Sequence, residues 1–390
     1  MMKRPPKLSL NIKMKTPTNK KTLITPSFYI HIPFCKHICA YCDFTKVLYH
    51  PSWADDYLTS LENEIKSYEI KGYPYSIYVG GGTPTSLKYD ELERLLKIIA
   101  PYISKDIYQE YTFEANVETL DRDKLELLFR YGVNRLSLGV ESTNDEILKK
   151  LNRHHTYDDV KRIYHLAREV GFNNINLDLM LALPFSNIID TIYDVNNLIE
   201  LNPEHISTYS LILEEHTEFN NLDYKEKDED EVRKEYDIVH KLLTDKGYIH
   251  YEVSNFAKLG YQSKHNYIYW KNKEYYGFGL GASGYINTVR YTNNKNLITY
   301  NIDKKYIDNR EYVDLKSDLI YQIMLNLRTD EGMIREEFIN KFGFDPYIRY
   351  QEQVYRYKNL GLLDFDDKHI YLTYEGKMVL DRIVLDLIED

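Results

Sequence analysis

The chain has 390 residues, of which 43% are hydrophobic and 28% are charged, the composition of a globular protein with two or three domains. The net charge is −10, although residues 1–26 carry seven basic residues and no acid, so the acidic remainder argues against non-specific nucleic-acid binding. No apolar run is long enough to span a bilayer, and all three cysteines lie within eight consecutive residues. That spacing excludes a secreted disulfide framework and predicts metal ligands in a reducing compartment.

Residues 1–26 are predicted to form a basic, disordered tail, because they are rich in lysine and proline and have no apolar stretch typical of a secretory signal. A transit peptide is the alternative for this segment. From residue 27 onward, short apolar runs alternate with amphipathic ones. The predicted strands are Ser27–Ile32, Ser76–Val79, Tyr111–Glu114, Arg135–Val140, Ile175–Leu181 and His205–Ile212.

The segments between these strands have helical periodicity, and two of them end at Gly171 and Gly247. Strand–helix alternation predicts an α/β fold with a parallel sheet and right-handed crossovers. Because there are six such units rather than eight, residues 27–247 are predicted to form a partial, open (βα)6 barrel.

The last two regions have different patterns. Residues 248–314 are rich in Gly, Asn and Tyr and are predicted to be loops and short strands that cap the barrel. Residues 315–390 show three helical stretches, two strands around a polar turn and a last helix, which predicts a small winged-helix-like domain. This domain has ten basic and fifteen acidic residues, so an accessory or substrate-covering role is favoured over binding in a DNA groove.

The strongest chemical signal is a C-x3-C-x2-C loop, formed by Cys35, Cys39 and Cys42, directly after the first predicted strand. Thiolates are soft ligands that suit iron–sulfur clusters or zinc. Three thiolates leave the fourth iron of a [4Fe–4S] cluster free to take a small chelating ligand. A zinc site with three cysteines and either His37 or His31 is the alternative.

Further polar groups follow the other predicted strands. The turn Gly80-Gly81-Gly82-Thr83-Pro84 follows the second strand, and its glycines would let a ligand approach the backbone closely. Glu114 ends the third strand, Glu141 follows the fourth, and Asp178 lies in the fifth. In a parallel barrel the carboxyl ends of the strands share one rim, so the cysteine loop, the glycine turn and these acids are predicted to form one active site.

These motifs resemble the radical S-adenosylmethionine (SAM) family. The segment Tyr29-Ile-His-Ile-Pro-Phe-Cys35, the cysteine loop and the glycine turn are similar to the branch that holds the oxygen-independent coproporphyrinogen dehydrogenases and the HemW heme chaperones. The resemblance covers roughly residues 27–390 and continues through Arg135–Ser142, Leu151–His154, His205–Ser207 and Tyr251–Phe256.

The resemblance implies that Cys35, Cys39 and Cys42 bind three irons of a [4Fe–4S] cluster, and that the fourth iron chelates SAM. The residues implied to line the rest of SAM are Tyr29, Tyr41, Gly81, Gly82, Thr83, Glu114, Glu141, Arg153 and Asp178. The chemistry of these residues suits SAM. Carboxylates can accept hydrogen bonds from its ammonium group or ribose hydroxyls, and the guanidinium of Arg153 can donate two hydrogen bonds to its carboxylate. The ring of Tyr41 can pack against its adenine.

Within this branch the residues favour a chaperone. The dehydrogenases have a further cysteine two residues after the third, where this chain has Phe44, and a longer N-terminal cover over the substrate. The segment His265-Asn-Tyr-Ile-Tyr-Trp270 resembles the H-N-x-x-Y-W motif of the chaperones, which implies that His265 is a candidate heme ligand. A loop or core histidine is the other interpretation of His265.

Three functions therefore remain open. The first is a heme chaperone with a cluster and SAM, located in the cytoplasm, that transfers heme to an apo-hemoprotein such as a respiratory cytochrome. It would need an electron donor and would associate with a membrane at most peripherally. The second is a coproporphyrinogen dehydrogenase, in which SAM cleavage gives a 5′-deoxyadenosyl radical that starts propionate decarboxylation. The third is a zinc-binding interaction protein.

Overall fold

The computed structural model describes residues 23–222 and 224–389. The predicted basic tail lies outside the described residues except for its last four. Within those four, Ile24–Thr25 forms a short parallel pair with Tyr73–Pro74. None of the described helices is both long and apolar enough to cross a membrane.

The first part of the chain alternates strands and helices. Its main strands are β1 (Ser27–Ile32), β2 (Ser76–Gly81), β3 (Glu110–Asn116), β4 (Arg135–Glu141), β5 (Ile175–Leu181) and β6 (His205–Ser210). Its helices are α1 (Pro51–Ser67), α2 (Tyr89–Ile99), α3 (Arg122–Arg130), α4 (Asp145–Lys150), α5 (Tyr157–Val170), α6 (Ile188–Leu201), α7 (Glu218–Asn221) and α8 (Glu229–Asp245). Strands β1 to β6 pair in parallel in chain order, which confirms the predicted partial (βα)6 barrel.

Local sequence explains where these helices lie. The apolar face of α2, predicted from its periodicity, is fully buried at Leu92 and Leu95. Helix α5 begins with a capping box between Thr156 and Asp159 and ends at Gly171, whose φ of 121° is readily adopted only by glycine. In these two helices, local sequence therefore defines the buried face of α2 and both ends of α5.

Residues 248–314 extend the sheet of the barrel. They form β7 (Ile249–Glu252), β8 (Asn255–Ala257), α9 (Lys264–Trp270), β9 (Tyr275–Phe278), β10 (Ser283–Ile286), β11 (Val289–Asn293), α10 (Leu297–Asn301) and β12 (Ile307–Tyr312). The full order is β7-β8-β6-β5-β4-β3-β2-β1-β9-β10-β11-β12. The expected cap of loops and short strands is thus largely an extension of the sheet. The reason is that the free edges of β1 and β6 present backbone groups that need partners.

The C-terminal region has its own apolar core. It contains α11 (Leu315–Asn326), β13 (Met333–Ile334), α12 (Arg335–Phe342), α13 (Pro346–Arg349), α14 (Gln351–Asn359), β14 (Leu363–Phe365), β15 (His369–Leu372), α15 (Tyr374–Met378) and α16 (Leu380–Ile388). Strand β15 lies between β13 and β14 in an antiparallel sheet. The two predicted strands are present. The third, β13, was not predicted, because two residues are too few to show alternation.

A buried carboxylate fastens α1 to the far side of the barrel. Glu64 is fully buried, and its oxygens accept hydrogen bonds from the backbone N–H of Gly279 at 2.8 Å, from Asn293 Nδ2 at 2.5 Å and from Tyr300 Oη at 2.5 Å. Burial raises the pKa of Glu64 to about 7, although these hydrogen bonds oppose the rise. A carboxyl group buried in the core thus joins α1 to the segment that follows β9.

Replacing Glu64 with Gln should change how stability depends on pH. A carboxyl with a raised pKa binds its proton more tightly in the folded state, so the parent protein should lose stability as pH rises from about 4.5 to about 7. The loss should amount to roughly 3 kcal/mol at 1.36 kcal/mol per pKa unit, and the Gln variant should lack it. Urea midpoints of the cluster-free proteins between pH 4.5 and 8 measure this difference. Glu62→Gln, at a half-buried position of the same helix where the carboxylate pairs with Lys66, is the matched control. Parallel pH profiles for parent and Glu64→Gln would contradict the assignment.

Candidate SAM and iron–sulfur site

The cysteine loop leaves the carboxyl end of β1 and is closed at its base by backbone hydrogen bonds. Phe34–Cys35 pairs with Val47–Leu48, where the N–H of Val47 donates to Pro33 O at 2.8 Å and the N–H of Tyr49 donates to Cys35 O at 2.9 Å. The loop therefore starts and ends at one fixed point beside the sheet.

The outer part of the loop is held by two other segments of the barrel. The Ala40 N–H donates to Leu151 O at 3.2 Å, and Asn152 Nδ2 donates to Ile38 O at 2.7 Å. On its other side, Ala40 O accepts from the N–H of Phe219 at 3.1 Å. Because these three hydrogen bonds hold the loop, its cysteines are pre-positioned relative to the end of α4 and to α7.

The three thiols line a single cavity of about 550 Å³ at the carboxyl ends of the strands. Cys35 is the most enclosed, with 6% of its surface exposed, and Thr83 Oγ1 donates to its Sγ at 3.7 Å. Arg153 Nη1 donates to Cys39 Sγ at 3.6 Å. Burial raises the pKa of Cys35 to about 12 and also raises that of Cys42, so metal binding must displace protons from these thiols.

These donors fit a [4Fe–4S] cluster with three protein ligands. The thiols are unpaired, share one cavity and have a guanidinium beside them that can donate to a thiolate. Within residues 23–222 and 224–389, no three or more Cys, His, Asp or Glu side chains form a group that could hold a metal ion. The three thiols therefore line one cavity, but among the described residues they do not form a closed site for a single metal ion. His31, one candidate fourth ligand for zinc, has both ring nitrogens engaged, by Tyr29 Oη at 2.9 Å and by Thr45 O at 2.7 Å.

The glycine turn fits against this loop so closely that side chains are excluded. A Cβ on Gly82 would lie 2.9 Å from Cys35 Sγ, and one on Gly81 would lie 2.7 Å from the His31 ring. Gly81 also has a φ of 118°, which favours glycine, and a Cβ on Gly80 would lie 2.6 Å from the Glu114 carboxylate. Protein groups therefore make a close approach to this turn, and the predicted approach of a ligand to its backbone stays a prediction.

Two carboxylates lie in the interior of the cavity. Glu114 accepts from Tyr78 Oη at 2.6 Å and from the N–H of Gly81 at 3.1 Å, and burial raises its pKa to about 7. Asp178 accepts from Asn176 Nδ2 at 2.7 Å and from Ser137 Oγ at 3.2 Å, and burial, with a contribution from Glu141, raises its pKa to about 6. Each keeps free lone pairs that could accept from a ligand.

Glu141 reaches the cavity through an irregularity in the sheet. The register between β4 and β5 shifts at this residue, and its φ of 68° is unusual for a residue with a side chain. The carboxylate accepts from Tyr209 Oη at 2.5 Å and lies 3.9 Å from Arg153 Nη1. The bulge therefore aims Glu141 at the cavity.

Arg153 connects the acids with the cysteine loop. Its Nη2 donates to Gly139 O at 2.6 Å, while among the described residues its buried Nε has no hydrogen-bond partner. A buried polar atom without a partner in a protein cavity commonly marks a place where a ligand or water is bound. This position fits the predicted contact between Arg153 and SAM.

Sequence reasoning missed a second guanidinium in the wall of the cavity. Arg135, at the start of β4, is 2% exposed, and its Nε also lacks a partner among the described residues. Its charge lowers the pKa values of Glu114 and Asp178, opposing the effect of burial. The period of two along β4 could have revealed it, because the polar residues Arg135 and Ser137 alternate with the apolar residues Leu136 and Leu138.

Eight of the nine residues predicted to line SAM share one cavity with the cysteines. Tyr41, Gly81, Gly82, Thr83, Glu114, Glu141, Arg153 and Asp178 share the cavity with the three cysteines. Tyr29 instead lines a neighbouring cavity of about 240 Å³ with Thr45 and Tyr275. The two cavities share Phe44. Its hydroxyl lies 2.9 Å from His31 Nδ1, and its ring centroid lies 6.2 Å from that of Tyr78 in the wall of the main cavity, so the predicted contact between Tyr29 and SAM stays a prediction.

His265 is not placed where heme could reach it. The residue is fully buried, and its Nδ1 lies 2.8 Å from Ser76 Oγ and its Nε2 lies 2.8 Å from Tyr269 Oη. Burial lowers the pKa of this imidazole to about 3. Glu110 also accepts from the His265 N–H at 3.0 Å and so fixes the start of α9. In this structure His265 is a core residue with both nitrogens occupied, which corrects the expectation that it ligates heme iron.

Comparisons with known proteins agree with this geometry. The model of the Radical SAM superfamily matches residues 29–195. The chain is 40% identical to a protein named heme chaperone HemW from Lactococcus lactis subsp. lactis (strain IL1403), over 92% of this chain and 97% of that protein. It is 38% identical to the heme chaperone HemW of Bacillus subtilis (strain 168), with the same coverage of both chains.

A solved structure shares the fold. Coproporphyrinogen III oxidase (HemN) from Escherichia coli, described as a radical SAM enzyme, superposes with a TM-score of 0.80 over 94% of this chain and 90% of that one, at 22% identity. This likeness supports the barrel and its appended regions.

Proposed function

Because the chain belongs to the HemW family of heme chaperones within the radical SAM superfamily, we propose that it binds heme and transfers it to apo-proteins. The observation that carries the proposal is the single cavity that unites three unpaired thiols with Glu114, Asp178 and Arg153. A cavity of this composition can hold both an iron–sulfur cluster and a polar, charged cofactor.

The cluster and SAM would be held by different parts of this cavity. Cys35, Cys39 and Cys42 would bind three irons, with Arg153 donating to Cys39 Sγ. Glu114 and Asp178 would accept from the ammonium or ribose groups of SAM, and Arg153 would bind its carboxylate. A cluster held there would supply, once reduced by an electron donor, the electron for cleavage of SAM.

Residues at the end of the cysteine loop favour the chaperone over a dehydrogenase. Cys42 is followed by Asp43 and by Phe44, whose ring is 69% exposed, so the further cysteine of the dehydrogenases is replaced by an apolar group that projects into solvent. The similarity to HemN is a similarity of fold, and at 22% identity it does not indicate the activity of this chain. An exposed aromatic ring beside the cavity suits contact with a flat apolar cargo.

The remaining partners belong to the same proposal. A chaperone must release its cargo, so we propose an apo-hemoprotein acceptor, such as a respiratory cytochrome, and an electron donor for the cluster. Three unpaired thiols suit a reducing compartment, and we propose the cytoplasm, with at most a peripheral contact with a membrane.

The reconstituted protein is expected to bind heme and pass it to an acceptor without decarboxylating coproporphyrinogen. Heme binding should shift the Soret band, and mixing the loaded protein with an apo-cytochrome should give the spectrum and activity of the holo-cytochrome. Loaded protein without acceptor is the control for spontaneous heme loss. Vinyl products formed from coproporphyrinogen under reducing anaerobic conditions, with SAM consumed in step, would instead establish the dehydrogenase.

A further inference from the structure

Two exposed histidines stack against each other at the mouth of the cavity. The rings of His37 and His154 have centroids 3.9 Å apart and planes inclined by 28°. His37 lies between two of the cysteines and lines the cavity, whereas His154 directly follows Arg153. Within the part of the chain that the structure describes, neither ring takes part in a hydrogen bond or ion pair, so their nitrogens are available to a ligand.

Other histidines near the barrel interior lack this property. His31, His205 and His265 are buried, and each has both ring nitrogens engaged by a neighbour. His155 is also buried, between Glu118 Oε2 and Val140 O, each at 3.3 Å. In the wall of the main cavity, His37 is the one histidine among the described residues.

The surroundings of His37 suit a large, flat, apolar ligand. Phe44 is 69% exposed and Ile212 is 66% exposed, and both line the same cavity as His37. Large apolar side chains left in water at the rim of a cavity commonly mark a binding surface. The rim of the cavity has charges of both signs, since it includes Lys46 as well as Asp43 and Glu214. Recognition of the ligand therefore depends on apolar contact and on the imidazole of His37.

We infer that heme binds across the mouth of this cavity, with His37 as the iron ligand and with Phe44 and Ile212 under the macrocycle. The inference rests on the proposed function and adds its ligand site. Neutral imidazole is a common axial ligand of heme iron, and an exposed ring can coordinate without breaking existing hydrogen bonds. His154, stacked on the same ring, is a positioning residue that limits the orientations of His37. Such a site at the surface also leaves the heme accessible to an acceptor.

The test is an anaerobic heme titration of reconstituted parent, His37→Ala and His154→Ala proteins, followed by absorbance and electron paramagnetic resonance. His37→Ala should weaken heme binding by at least about tenfold, since even the loss of an outer partner of a metal site has an effect of this size. It should also remove the spectrum of histidine-ligated heme. His154→Ala should weaken binding less and keep that spectrum. Exposed His165 on α5 supplies the matched control, His165→Ala, which should behave as the parent.

A second measurement separates ligation from folding. Free imidazole added to the His37→Ala protein should restore the histidine-type spectrum, whereas a folding defect would not respond to it. A His37→Ala protein that binds heme as the parent does, or a parent spectrum of thiolate-ligated heme, would overturn the assignment while leaving the chaperone function intact. A correctly folded parent that binds no heme would instead overturn the proposed function.

Discussion

Serine in place of Cys35, Cys39 or Cys42 should abolish the iron–sulfur cluster. The parent, reconstituted anaerobically, should hold about four irons and four labile sulfides per chain, and each variant should hold almost none. A hydroxyl is a hard and weakly acidic ligand, so it cannot replace a thiolate on cluster iron. Iron and sulfide analysis, together with the visible absorption of the cluster, measures the effect.

The same loop offers a matched control. Asp43 is adjacent to Cys42, is exposed and carries no thiol, so Asp43→Asn should keep the full iron content. The effect of Cys35→Ser should be as complete as that of the others, although Cys35 is the most deeply enclosed. One tetrahedral zinc per chain without labile sulfide would contradict the cluster and favour the zinc-binding alternative.

Alanine in place of Arg153 should weaken SAM binding while the cluster is retained. Loss of one charge-assisted contact corresponds to roughly 1.5–3 kcal/mol, or about 10- to 150-fold in affinity. The guanidinium also donates to Gly139 O, so part of the effect arises from loosening of the rim. Equilibrium dialysis of SAM against reconstituted protein gives the affinity, and iron content verifies the cluster.

Comparison variants separate the role of Arg153 from general loss of charge. Arg162 is exposed on α5 and pairs with Asp159, and Arg162→Ala should bind SAM as the parent does. Asp178→Ala should weaken binding because one acceptor for the ribose or ammonium is lost. Parent-like affinity in both the Arg153 and the Asp178 variant would exclude the proposed SAM contacts.

Much of the barrel and its rim could be predicted because they depend on local pattern and chain order. Apolar runs predicted the six strands, and parallel strands end at one edge, which brings Glu114, Glu141 and Asp178 to the cysteine loop. The precise direction of Glu141 could not be predicted, since it depends on a register shift between β4 and β5.

What the sequence could not show are contacts between distant parts of the chain. Motif similarity proposed His265 as a heme ligand. Its burial follows from packing against Ser76, 189 residues earlier, and from Glu110 at the start of its helix. Sequence spacing does not show whether such neighbours occupy a nitrogen.

The pairing of β9 with β1 has a consequence for synthesis on the ribosome. The cysteine loop is made early, yet its surroundings include Gly279, which approaches His31 O, and Gly281, which approaches Thr45. At about 5–20 residues per second, the intervening chain takes on the order of ten seconds or more to emerge. Until then the three cysteine thiols lie beside a sheet that lacks strand β9. Iron inserted during translation would therefore meet an open loop, whereas iron inserted after release would meet the finished cavity.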